Sequence, residues 1–168
     1  AALLAAKENS KLPVFVSNAY SEDGKLMTGA SPAAMVALLE GMHADAIGTN
    51  CSLGPKALLP IIEEYVKYAS VPVLLKPNAG LPKSVNGKTV FDILPDEFAE
   101  DVTEAIKKGV RIAGGCCGTT PDYIKALTSR AKYIPPVANF PKNVSCVSSH
   151  THIVEFNTQP ILIGERIN

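Results

Sequence analysis

Short, nearly continuous apolar runs recur along the chain, and most are followed by a longer stretch that opens on a proline, the residue favoured at the first helical position. The first run, Pro13-Val14-Phe15-Val16-Ser17-Asn18-Ala19-Tyr20, predicts a strand buried on both faces, as in parallel sheets. A turn at Ser21-Glu22-Asp23-Gly24-Lys25 separates it from a helix that starts at Ser31-Pro32, with the serine as cap, and runs to about Met42. The same unit returns three times. Ala46-Ile47-Gly48-Thr49-Asn50 predicts a strand, Cys51-Ser52-Leu53-Gly54 a turn, and Pro55 opens a helix to about Ala69. Val71 to Lys76 predicts the third strand, followed by a loop that reaches Leu94 and contains Asn86-Gly87, a strong hairpin-turn signal. Pro95-Asp96-Glu97 opens a helix to Lys108, closed by Gly109. Val110 to Ala113 is the fourth strand, and Thr120-Pro121 caps and opens a helix to about Lys132.

Consecutive strand–helix units with buried, parallel-type strands define an α/β fold. Two architectures satisfy the pattern, an open doubly wound sheet and half of a (β/α)8 TIM barrel. No Gly-x-Gly-x-x-Gly follows any strand, which counts against the nucleotide-binding open sheet. The unusual residues all fall at the C-terminal ends of strands, where barrels build their active sites. A full barrel takes about 250 residues, so residues 1–132 are expected to be its C-terminal half. The opening residues read as the last turns of a preceding helix, as in a piece of a longer chain. Residues 133–160, with Pro135-Pro136, Pro141 and Ser148-Ser149, read as a linker holding one short strand at His152-Ile153-Val154-Glu155-Phe156. Residues 161–168 read as the first strand of a following domain.

Composition narrows the function. With 46% hydrophobic and 19% charged residues and no formal net charge, nothing asks for a nucleic acid or an anionic membrane surface. No apolar run approaches the roughly 20 residues that span a bilayer. Four cysteines without a secretory leader fit a reducing compartment, so a cytoplasmic location is expected.

The chemistry concentrates in Gly114-Gly115-Cys116-Cys117-Gly118-Thr119-Thr120-Pro121. Adjacent side chains on an extended segment point opposite ways, but flanking glycines let the backbone bend until both sulfurs aim at one point. Such a pair forms either a vicinal disulfide or part of a metal site. Cys51 occupies the equivalent turn two strands away, across about 10 Å at a strand spacing of about 4.8 Å. Converging reduced thiolates imply a cation, and soft sulfur ligands favour tetrahedral zinc with Zn–S bonds of about 2.3 Å. Three protein ligands leave one position open, the pattern of a catalytic zinc. An all-sulfur shell makes a weak Lewis acid but suits an incoming thiol, held as a nucleophilic thiolate. Thiol alkylation is the expected reaction. Cys146 has no partner turn and reads as a bystander.

Gly48-Thr49-Asn50-Cys51-Ser52-Leu53-Gly54-Pro55, Lys76-Pro77-Asn78-Ala79-Gly80 and the double-cysteine turn together resemble the homocysteine S-methyltransferase family. Within it they look most like the homocysteine-binding domains of cobalamin-dependent methionine synthases, from about Pro13 to Lys132. The resemblance implies a (β/α)8 barrel in which Cys51, Cys116 and Cys117 bind Zn2+ and the homocysteine thiol becomes the fourth ligand. It implies methylcobalamin, held by another domain, as methyl donor, and cobalamin and folate domains as partners in the same full-length protein. Ile163-Gly164-Glu165-Arg166-Ile167-Asn168 is similar to the opening strand of the folate-binding barrel, which favours this subfamily over betaine- or S-methylmethionine-dependent relatives. The family's first half-barrel, which carries acidic contacts to the substrate amino group, has no counterpart in this sequence.

Other polar residues divide into candidates and bystanders. Asn78, between the two cysteine turns, offers an amide oxygen to the open zinc position or simply forms a turn. Asn18 and Ser17 either contact substrate or end the first strand. Gly118 and Thr119 place helix N-terminal N–H groups toward a substrate carboxylate or the thiolates, and Asn50 and Ser52 are positioned to hydrogen bond the sulfurs. Lys76 raises a rival reading, a Schiff-base lysine in a barrel aldolase, against a solvated or ion-paired lysine. His150 and His152 read as solvated, and His43 as a helix-end cation.

Overall fold

The computed structural model describes residues 1–157 and 159–164. In chain order the elements are α1 (Ala2–Asn9), β1 (Phe15–Asn18), α2 (Pro32–Gly41), β2 (Ala46–Asn50), α3 (Pro55–Tyr68) and β3 (Val73–Lys76). There follow β4 (Lys83–Val85), β5 (Lys88–Val90), α4 (Pro95–Lys108), β6 (Val110–Ala113), α5 (Pro121–Ala131), β7 (Cys146–Ser148) and β8 (Ile153–Glu155). Strands β1, β2, β3 and β6 form one parallel sheet in that order, so each strand–helix unit adds one strand beside the last.

Register sorts the side chains. Val16, Ile47, Val73 and Val110 are consecutive partners across the sheet and share the face that packs on the helices. Leu58, Ile62 and Tyr65 of α3 and Phe98, Val102 and Ala105 of α4 complete that core. The Phe98 and Tyr123 rings meet edge-on at 5.4 Å, tying α4 to α5. Ser17, Gly48, Leu74 and Ile112 are partners on the opposite face.

Burial on both faces holds for β2 and β3 but not for the first strand as expected. Phe15 is 56% exposed, and Arg111 and Ala113 of β6 are exposed too. Among the described residues both strands have a sheet neighbour on one side only, so their outer edges lack a partner strand. The first strand is also shorter than expected, because Tyr20 turns back to bury its ring at 6.0 Å from that of Tyr65.

Helix ends follow the expected chemistry. Ser31 Oγ accepts the Ala34 N–H at 3.2 Å, and Glu64 of α3 accepts the Ala33 N–H at 3.0 Å, two bonds to first-turn donors of α2 that have no partner within the helix. His43 does more than offset a dipole. Its φ of +61° makes it the left-handed residue that ends α2, with His43 N–H on the Glu40 carbonyl and Ala44 N–H on that of Leu39. Thr120 takes the cap position of α5 without a side-chain hydrogen bond. The Asn86-Gly87 turn forms as expected, both residues left-handed, and closes the β4–β5 hairpin.

Residues 133–157 lie against the rest of the chain as a strap. Arg111 donates to the Val137 carbonyl at 2.9 Å, Asn139 to the Ser70 carbonyl at 2.8 Å, and Lys142 N–H to Ser70 Oγ at 3.0 Å. The β7–β8 hairpin then follows α2 up to Ser31, whose N–H reaches the Thr151 carbonyl. The strand expected around His152–Phe156 is β8. Residues 161–164 have no strand pairing, and Glu165 to Asn168, the charged part of the run read as a new strand, lie outside the described residues.

Candidate metal centre

The site is built at the C-terminal ends of β2, β3 and β6. Pro77, which has no N–H, ends the β3 ladder, yet the chain runs on straight enough to be stitched on both sides. On one side the Cys51 N–H donates to the Lys76 carbonyl at 2.9 Å, and the Asn78 N–H to that of Leu53 at 3.0 Å. On the other, Gly114 N–H meets the Leu75 carbonyl at 3.0 Å, Cys116 N–H that of Pro77 at 2.8 Å, and Ala79 N–H that of Cys117 at 2.9 Å. Residues 75–79 are thus a spine to which both cysteine turns are bonded.

The two turns bend by different means. Cys51 and Ser52 both have φ of +61°, a left-handed pair without a glycine, which costs about 1–2 kcal/mol per residue. Nothing in those residue types announces it. The second turn uses Gly118, at φ +80°, and a Cβ there would lie 2.3 Å from the Phe91 ring. Gly118 is therefore where the long loop before α4 seats its aromatic side chain. Thr119, whose N–H and hydroxyl both bond the Cys116 carbonyl, at 3.3 and 2.7 Å, locks the turn instead of facing outward.

This backbone brings the sulfurs of Cys51, Cys116 and Cys117 within 4.8 Å of one another. Cys51 and Cys117 are 3.7 Å apart, Cys116 and Cys117 3.9 Å. A tetrahedral ion with Zn–S bonds of about 2.3 Å sets its sulfurs about 3.8 Å apart, so the donor set fits zinc in identity and in the two separations that involve Cys117. All four cysteines are free thiols, and Cys146 lies far from the others, on the wall of a cavity of about 400 Å³ between α2 and the strap.

The site's electrostatics are asymmetric. The Ser52 N–H on its sulfur is the main influence holding the Cys51 thiol below its ordinary pKa, with smaller help from Cys117, Cys116 and Asn78 as hydrogen-bond partners. Cys117, exposed and hydrogen bonded to the Cys51 and Cys116 sulfurs, is pushed up to about 11. A cation at the shared point removes that penalty.

The remaining candidates fall in different places. Asn78 is 4% exposed, and its side-chain oxygen accepts the Cys117 N–H at 3.1 Å. The Asn18 amide is on the helix side of the sheet and donates to the Tyr65 hydroxyl at 3.3 Å, while Ser17 faces the opposite side. Lys76 is half-buried and makes no ion pair or side-chain hydrogen bond among the described residues. Among the described residues His152 bonds only to the neighbouring Thr151 and Ser149. Sequence reasoning missed Phe91 and Ile93, which brace the turns at Gly118 and Gly54; loop residues in an irregular stretch carry no periodic signal.

A parallel strand–helix sheet with three cysteines converging at its strand ends defines an α/β protein with a candidate metal centre, and comparison with known proteins gives its family. The chain belongs to the homocysteine S-methyltransferase family, whose model matches residues 1–131. It is 33% identical over 165 residues to a methionine synthase of Mycobacterium leprae, and 31% identical over 160 residues to that of Mycobacterium tuberculosis. Each alignment covers 94% of this chain, which spans only 14% and 13% of those relatives' lengths. The fold matches crystal structures of the homocysteine methyltransferase MmuM from Escherichia coli in metallated and apo forms, each at TM-score 0.62 and 23% identity. Those matches cover 77% of this chain and 39% and 44% of theirs, so the sheet is part of a TIM barrel.

Proposed function

We propose that Cys51, Cys116 and Cys117 hold a zinc ion, and that this chain is the C-terminal half of a barrel that activates homocysteine for S-methylation to methionine. The observation that carries the reading is the convergence of three sulfurs from two separate turns within 4.8 Å, with Cys117 at tetrahedral-metal spacing from the other two. When bound, zinc holds an incoming thiol as a thiolate at neutral pH while an all-sulfur environment leaves it nucleophilic.

The chain's own residues do the rest. The Ser52 N–H supports negative charge on Cys51, and the spine at residues 75–79 holds both turns through backbone hydrogen bonds. Among the described residues the outer edges of β1 and β6 are unpaired, which leaves room for the strands that would close the barrel. The similarity to methionine synthases supports methylcobalamin on another domain as donor, with cobalamin and folate domains as neighbours in one protein, over betaine or S-methylmethionine. No helix of the described residues is long and apolar enough to cross a membrane, in keeping with the cytoplasmic location proposed from the free cysteines.

The test is metal analysis of the purified chain with and without homocysteine. One zinc per chain, lost in Cys116→Ser, and protons released on adding homocysteine are the expected results. Zinc that ignores thiols would sink the enzymatic reading and leave a zinc-stabilised scaffold.

A further inference from the structure

Backbone hydrogen bonds to residues 75–79 hold the two cysteine turns where they leave their strands. Their far ends, at Gly54 and Gly118, are touched by a different element, the three residues Phe91-Asp92-Ile93 that follow the β4–β5 hairpin. The Phe91 ring lies over Gly118, with three ring carbons 2.3–2.9 Å from where a Cβ would stand. Two positions on, the Ile93 Cδ1 reaches Gly54, 2.7 Å from the corresponding point. Neither side chain swings freely, because both pack against the buried core. The backbone between them is anchored as well. Ile93 N–H donates to the Ala79 carbonyl at 3.1 Å, and the Ile93 carbonyl accepts the Tyr123 hydroxyl at 2.7 Å. Asp92 pairs with Lys83 at 2.6 Å and ties the segment to the base of the hairpin. One anchored segment thus reaches from the first cysteine turn, past the end of the spine, to the second.

We propose that Phe91 and Ile93 are positioning residues of the metal centre, a crossbar that sets the separation of the two cysteine turns from outside the ligand set. The inference rests on the zinc reading above. Cys117 immediately precedes Gly118, and the first turn is tightened by the Leu53 N–H on the Cys51 carbonyl at 2.7 Å, so a shift at either glycine carries to a sulfur. Zn–S bonds of about 2.3 Å leave little slack. A turn that drifts must be drawn back by the metal, and affinity falls by that cost. Truncating Phe91 removes the ring that confines Gly118, a residue with no Cβ of its own to limit its backbone. Truncating Ile93 frees Gly54 in the same way. A loop that only filled space would lose stability on truncation and leave the metal geometry untouched.

The experiment measures zinc affinity of the full chain by competition with a chromophoric chelator, for the unaltered chain, Phe91→Ala, Ile93→Ala and Phe91→Tyr. Val36→Ala, in the core of α2 beside the strap, is the control for general loss of stability. Both crossbar alanine variants are expected to bind about 10-fold more weakly, the lower end of the range for residues that orient metal ligands. Phe91→Tyr keeps the ring and should bind as the unaltered chain does, as should Val36→Ala. Loading with Co2+ adds a spectroscopic readout. The visible bands of a tetrahedral thiolate site should shift in Phe91→Ala and stay in place in Phe91→Tyr and Val36→Ala. Unchanged affinity in either crossbar alanine variant overturns the proposal, as does an equal loss in Val36→Ala. Failure of the unaltered chain to bind zinc overturns the function proposed above along with it, whereas indifferent variants of a zinc-binding chain overturn only the crossbar. Circular dichroism accompanies each variant; should Phe91→Ala not fold, Phe91→Leu, which lacks the flat ring, carries the comparison.

Discussion

The sulfurs of Cys51 and Cys117 lie 3.7 Å apart, although 66 positions separate the residues in the chain. No local preference produces that distance. It follows from parallel strands that put two turns at the same end of the sheet, and from a third strand between them that accepts and donates backbone hydrogen bonds on both sides. Charge repulsion among thiolates opposes the arrangement, so a cation that relieves it should matter to both binding and stability.

Serine in place of Cys51 or Cys117 should each lower zinc affinity by at least about 100-fold, more than the loss of a residue that only orients a ligand. Cys146→Ser should bind as the unaltered chain does, because that thiol sits on β7 beside α2. Zinc content after equilibrium dialysis checks all three.

Gly118→Ala and Gly87→Ala make an informative pair. Both glycines have positive φ, but a Cβ at position 87 meets nothing within 4 Å, whereas at 118 it would strike the Phe91 ring. Gly87→Ala should cost about 1–2 kcal/mol from backbone strain alone, and Gly118→Ala about 1–3 kcal/mol more from overpacking. Denaturant midpoints measure the difference, and zinc affinity should fall only in Gly118→Ala.

Tyr65→Phe removes the hydroxyl that partners both the Tyr20 hydroxyl, at 2.8 Å, and the Asn18 amide. Leaving Tyr20 buried without a partner should destabilise the fold by about 1–3 kcal/mol. Because the network lies on the helix side of the sheet, zinc stoichiometry should not change. Urea unfolding monitored with metal analysis would show whether Asn18 serves the fold or the site.

Asp45 links α1 to the sheet edge through Lys7 and the Val14 N–H, and these hold its carboxyl below the ordinary value. A depressed carboxylate stabilises the fold fully above the unfolded pKa of about 3.9 and loses that contribution as pH falls through the lower folded value. The melting-temperature gap between the unaltered chain and Asp45→Asn should therefore be steady from neutral pH to about pH 5 and close below about pH 4. A gap that persists in strong acid would assign the contact no electrostatic role.

By itself the sequence determined the strand–helix order, the caps, the Asn86-Gly87 hairpin and the placement of Cys51, Cys116 and Cys117 each just past the end of its own strand. Each of these depends on residues within a few positions of one another, through burial pattern, proline and glycine geometry or side-chain capping, and so can be read along the chain. Tertiary structure alone decided that Asn18 turns toward Tyr65, that Gly118 makes room for Phe91, that Cys51 and Ser52 take left-handed conformations, and that the proline-rich tail wraps α2 as a strap. Those outcomes depend on which partner reaches a given atom from a distant part of the chain. The sequence could thus name the sulfur ligands by their chemistry, while only the packed sheet could bring them to the spacing of a single ion.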